Sequence, residues 1–221
     1  MFSRRSTQAA IGTVVAVLLI SAVAVAATTQ TYSQRFSVKK PGTSTGLTFK
    51  ASATDPTAPA GAPTPAKKVT VTLPKGTKIN TGALARCSNT ASCPAKSRVG
   101  SGTADAILLG AHYTLPVTAY NRAGGMVLTV VNPTSTTPII IEPVLSGNVL
   151  TIDIPSLTVL GQPATVAGLT LKIAKHGSAK KAYVTTPKTC PAGKAWPFKA
   201  RFDYQDGTTT TLTSKSACVK H

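Results

Sequence analysis

After residue 27 apolar and polar residues alternate along most of the chain, the period-two signature of half-buried β-strands. Val69-Thr70-Val71-Thr72-Leu73 alternates strictly and stops at Pro74-Lys75-Gly76, a turn. Phe36-Ser37-Val38 and Leu47-Thr48-Phe49-Lys50-Ala51 read the same way. Further strands are predicted over residues 98–108, 113–120, 126–131, 139–145, 149–154, 166–173, 182–185, 197–204 and 208–212. The last two join at Gln205-Asp206-Gly207, a strong hairpin signal. In that hairpin Phe198, Ala200, Phe202 and Tyr204 share one face and Lys199, Arg201 and Asp203 the other, so one side packs inward and one meets water. Ile139-Ile140-Ile141 is continuous, which predicts a strand covered on both faces. Asn80-Thr81 offers a cap for a short helical turn through Leu84 and Ala85, delivering Cys87. Short strands at this spacing, with no amphipathic helix after residue 27, predict an all-β, antiparallel two-sheet sandwich, immunoglobulin-like or jelly-roll-like.

Two segments break the alternation. In residues 1–27, Arg4 and Arg5 precede an apolar run from Ala10, and Ala24-Val25-Ala26-Ala27 supplies small residues. This is the pattern of an N-terminal signal helix cleaved after Ala26 or Ala27, the alternative being an uncleaved anchor. Residues 28–221 then form one sandwich domain, secreted or held in the cell envelope. Within it, residues 54–67 contain Pro56, Pro59, Pro63 and Pro65 among Ala, Thr and Gly. Such a stretch supports neither ladder nor helix and is expected to be an exposed loop.

An even number of cysteines behind an export signal reads as a disulfide framework. Cys87 and Cys93 lie in one loop, while Cys190 and Cys218 flank the final hairpin at the outer ends of its strands. Antiparallel strands joined at residues 205–207 bring residues 190 and 218 to the same end, so two local bridges are expected. Zinc wants closer Cys pairs or nearby histidines, and these spacings do not supply them.

A resemblance enters through Leu73-Pro74-Lys75-Gly76, Cys87, the run Cys93-Pro94-Ala95-Lys96-Ser97-Arg98-Val99-Gly100-Ser101-Gly102, and Thr189-Cys190-Pro191 with Trp196-Pro197-Phe198. From about residue 67 onward the chain resembles an uncharacterised family of exported proteins from high-GC Gram-positive (actinobacterial) soil bacteria, marked by paired-cysteine Cys-Pro motifs. The resemblance implies an exported sandwich with two disulfides and implies no enzymatic activity.

Charge sharpens this picture. Lys and Arg number 24 against 6 Asp and Glu, for a net charge of +18. Residues 28–102 set their cations against Asp55 alone, and residues 171–221 set theirs against Asp203 and Asp206, whereas residues 103–170 carry Arg122 against Asp105, Glu142 and Asp153. Such a surface attracts polyanions, here an anionic cell-wall polymer or a membrane surface. The lysines stand singly or in pairs, which spells no specific nucleic-acid motif. Lys67, Lys68, Lys172, Lys180 and Lys181 are the candidate contacts.

Catalytic patterns are sparse. Ser178-Ala179-Lys180-Lys181 contains a Ser-x-x-Lys without the partner motifs its enzymes carry. Glu142 and Asp153 lie in apolar strands that could pair around Ser146-Gly147-Asn148. Facing one another in a cleft, they would suit a secreted, glycosidase-like hydrolase. His112, His176 and His221 suggest neither a metal site nor a triad. No small-molecule cofactor is implied, and the expected role is a structural or binding module of the cell envelope or extracellular space, not an enzyme.

Overall fold

Alternation decides the burial of each long strand. In the computed structural model, which describes residues 28–132, 135–159, 162–178 and 181–219, Trp196, Phe198, Ala200, Phe202 and Tyr204 are buried and Pro197, Lys199 and Arg201 are exposed. The leader expected over residues 1–27, Lys180 and His221 lie outside the described residues. In chain order the strands are β1 (Thr29–Phe36), β2 (Leu47–Thr54), β3 (Ala66–Thr72), β4 (Lys78–Ile79), β5 (Arg98–Leu108), β6 (Ala111–Arg122), β7 (Gly125–Val130), β8 (Ile139–Ile141), β9 (Val144–Ser146), β10 (Val149–Asp153), β11 (Leu157–Val159), β12 (Gln162–Ile173), β13 (Val184–Thr185), β14 (Ala195–Tyr204) and β15 (Thr209–Ala217).

Hydrogen bonding runs β1-β2-β12-β5-β6-β7-β9-β10-β3-β14-β15, every pair antiparallel, with β8 on β7 and β11 on β12. The sheet folds over on itself, so that Phe36 of β1 packs against Trp196 and Phe198 of β14, with ring centroids 5.4 and 5.0 Å apart. The result is the expected all-β antiparallel sandwich, with one core between its layers. Its two outer strands, β1 and β15, meet in the same direction and without a backbone ladder. Instead, the Ser214 hydroxyl accepts from Gln34 N and donates to Gln34 O, and Ser216 Oγ accepts from Phe36 N at 3.0 Å.

Some elements differ from expectation. β1 runs from Thr29 to Phe36, earlier than the stretch predicted at residues 36–38, because buried Gln34 sits where an apolar residue would have marked the inward face. Residues 80–85 make a turn, not a helical one: Asn80 Oδ1 accepts from Gly82 N and Asn80 O from Ala83 N. The strand foreseen at 139–145 is interrupted at Glu142-Pro143, since Pro143 has no N–H to give. Its isoleucines are half-buried, not covered on both faces. The Pro-rich loop occupies residues 55–65, with Ala66 and Lys67 already in β3.

Glycine fixes the closest approach in the sheet. A Cβ on Gly102 would lie 1.8 Å from Thr170 O, and one on Gly100 2.3 Å from Lys172 O, so β5 can lie against β12 only without side chains there.

Candidate functional sites at the two ends

The pairings give the sandwich two unlike ends. At one end lie the loops of residues 37–46, 73–97, 174–178 and 181–194, together with both disulfides, Cys87–Cys93 with Cα atoms 4.9 Å apart and Cys190–Cys218 at 5.6 Å. This is the pairing expected from the hairpin. At the other end lie the Pro-rich loop, the β5–β6 hairpin at Leu109-Gly110, the turn at residues 205–208 and the start of β1.

The stapled end is tied by hydrogen bonds between loops distant in sequence. Thr186 N donates to Thr43 O, its hydroxyl donates to Lys40 O, Asn80 N donates to Tyr183 O, and Val219 N donates to Lys39 O. Asn121, fully buried in β6, donates through Nδ2 to the carbonyls of Thr81, Leu84 and Ala85, and its main-chain carbonyl accepts from Cys87 N. Nothing in the sequence marks Asn121, which reads there as one more polar strand residue.

Charge is segregated between the ends. The stapled-end loops carry Lys39, Lys40, Lys75, Lys78, Arg86, Lys96, Lys175, Lys181, Lys188 and Lys194 and, among the described residues, no carboxylate. The described loops of the open end carry Asp55 and Asp206 and no cation. Loop cations from both cationic stretches of the sequence thus meet at one pole. There an open cleft of about 570 Å³ runs between the loops, lined by Gly42, Gly76, Thr77, Lys78, Asn80, Thr186 and Lys188. The Thr77 hydroxyl on its wall is buried with no hydrogen-bond partner, an arrangement that costs about 1–3 kcal/mol.

The core is filled unevenly as well. Toward the stapled end it holds Phe36, Tyr183, Trp196 and Phe198, whereas toward the open end the layer of β2, β12 and β5 presents Ala53, Ala104, Ala106 and Ala167. Small residues side by side in one layer leave a cavity of about 100 Å³, walled by Phe49, Val69, Leu115, Val117, Leu128, Ile152 and Phe202 and bordered by half-buried Ile139, Ile141, Ile154 and Leu157. A void of that size costs about 2 kcal/mol relative to a filled core. At its rim the Tyr204 hydroxyl donates to Gln30 Oε1 at 2.9 Å, and burial pushes the Tyr204 phenol above its ordinary pKa, so it stays a neutral donor.

The residues singled out from the sequence do not assemble as one site. Lys67 and Lys68 lie in β3, with Lys68 paired to Asp153 at 3.3 Å, while Lys172 lies in β12 across the sandwich and Lys181 in a stapled-end loop. Glu142 pairs with Arg122, outside the cleft that Asp153 shares with Lys67, Lys68, Arg201 and Asp203. The β9–β10 ladder stops at Val144 and Thr151, before it would bring the two carboxylates opposite each other. Each carboxylate is held in an exposed ion pair with a different cation, worth little to stability. Among the described residues no three His, Cys, Asp or Glu side chains converge as a metal site would require.

No protein-family model matches the chain, and no curated protein is significantly similar to it. Among solved structures it is similar to a DUF4466 family protein from Parabacteroides merdae, with 13% identity, a TM-score of 0.35, and coverage of 86% of this chain and 43% of that one. It is also similar to the major pilin subunit of Bacillus cereus, at 10% identity, a TM-score of 0.34, and coverage of 87% and 41%. A third is the T6 backbone pilin of Streptococcus pyogenes, at 12% identity, a TM-score of 0.35, and coverage of 87% and 35%. The chain thus spans less than half the length of each of them.

Proposed function

We propose that the protein is a binding module of the cell envelope that docks an anionic wall polymer on its cationic pole. The observation that carries this reading is the segregation of charge: ten loop cations gather at the stapled end, and the carboxylate nearest them, Glu142, is taken up by Arg122. Disulfides persist in oxidising compartments, in keeping with export through the leader expected over residues 1–27. Were the leader kept as an anchor instead of cleaved, β1, which enters at the open end, would turn the cationic pole away from the bilayer and toward the wall.

Co-sedimentation with purified cell walls, intact or stripped of their anionic polymer, tests the reading. Intact walls are expected to retain the protein at low salt and release it as salt rises from about 50 to 500 mM, because exposed charges are screened over a Debye length. Lys78→Glu with Lys188→Glu should weaken retention, and Lys67→Glu with Lys68→Glu should not. Equal retention by stripped walls, or equal loss from both pairs, would overturn it.

A further inference from the structure

The open end holds a second feature, independent of the charged pole. Its cavity is written into the sequence: Ala104 and Ala106 of β5 lie in one layer with Ala53 of β2 and Ala167 of β12, where the same core farther along holds aromatic rings. An apolar void of this kind excludes water and gains from an apolar occupant. Its size narrows the choice. At about 100 Å³ it is smaller than the engineered cavity of about 150 Å³ that admits benzene, so it suits the end of a slender chain better than a ring system. Leu109, at the tip of the β5–β6 hairpin, and Val131, just past β7, are 69% and 52% exposed and extend the apolar surface of this end. The charge around it also selects. Around it lie Asp55 and Asp206, with Lys67 of β3 beside Asp206, while Gln30 and Tyr204 supply neutral hydrogen-bonding groups at the rim.

We infer that this cavity is a binding site for the unbranched alkyl chain of a neutral amphiphile, its head group resting at the Gln30–Tyr204 rim. The neutral rim offers an anionic head no ion pair and leaves a hydroxylated or sugar head as the better match.

The test is to titrate the purified protein, by calorimetry and by the methyl NMR signals of its alanines, with octyl glucoside below its micellar concentration and with octanoate. Saturable binding of the glucoside is expected, with shifts at Ala104 and Ala106 and several-fold weaker binding of octanoate. Ala104→Leu should abolish the binding and raise the melting temperature, because it fills the void. If that variant does not fold, the methyl shifts in the parent protein decide alone. Absence of saturable binding, unmoved Ala104 and Ala106 signals, or equal affinity for octanoate would overturn the inference. Each of these results leaves wall retention at the stapled end to stand or fall separately.

Discussion

Asn121 shows how much one buried amide can organise. Its Nδ2 serves three carbonyls of the loop leading to Cys87, and those acceptors would be stranded by truncation. Asn121→Ala is expected to cost about 2–3 kcal/mol in chemical denaturation, and amide exchange should accelerate over residues 81–87. Asp206 acts at the opposite end. The Thr208 hydroxyl, and after it the Thr208 amide, hold its carboxyl below the usual carboxylate range. A depressed pKa in the folded state stabilises above the unfolded value and loses that contribution as pH falls through the folded one. Melting temperatures of Asp206→Asn and the parent should therefore differ near neutral pH and converge in strong acid. Asp206 was legible from its Gln-Asp-Gly hairpin, because turn chemistry is local. Asn121 was not, because a polar residue in an alternating strand looks alike whether it meets water or another loop.

Among elements, the strands that were legible are those whose inward positions are all apolar. β14, with Trp196, Phe198, Ala200, Phe202 and Tyr204, declared its face and its partner. β1 was misplaced because Gln34 and Tyr32 satisfy each other by a side-chain hydrogen bond on a face that otherwise reads as core. The seam between β1 and β15 was likewise invisible, since serines on an alternating strand look solvent-facing. Ser216 nevertheless accepts the buried amide of Phe36. Ser216→Ala should cost about 1–3 kcal/mol by leaving that amide unpaired, and the loss should appear as faster hydrogen exchange at Phe36 specifically. A uniform rise in exchange across the sheet would instead signal general destabilisation.

On the scale of the whole molecule, the sequence showed two cationic stretches and a slightly acidic middle, but not that loop cations of both stretches share a pole, because loop convergence depends on strand order. The candidate site was accordingly legible as composition and not as place: Lys67 and Lys68 looked equivalent to Lys188 until the topology set them at different ends. The Cys190–Cys218 bridge closes a long loop there. Cys190→Ser with Cys218→Ser is expected to cost about 3–4 kcal/mol by the loop-closure relation, measured by urea unfolding against the parent. Cys87→Ser with Cys93→Ser closes a much shorter loop and should cost about 2 kcal/mol. The serine-bridged seam has a mechanical meaning too. β1 enters at one end of the sandwich, β15 leaves at the other, and the two lie side by side in the same direction, so a pull between those points slides one strand along the other instead of peeling it away. Its serine bridges then take the load together and yield together, while the Cys190–Cys218 bridge keeps β15 from being unzipped from its far end. Tension along this axis therefore loads the serine bridges in shear.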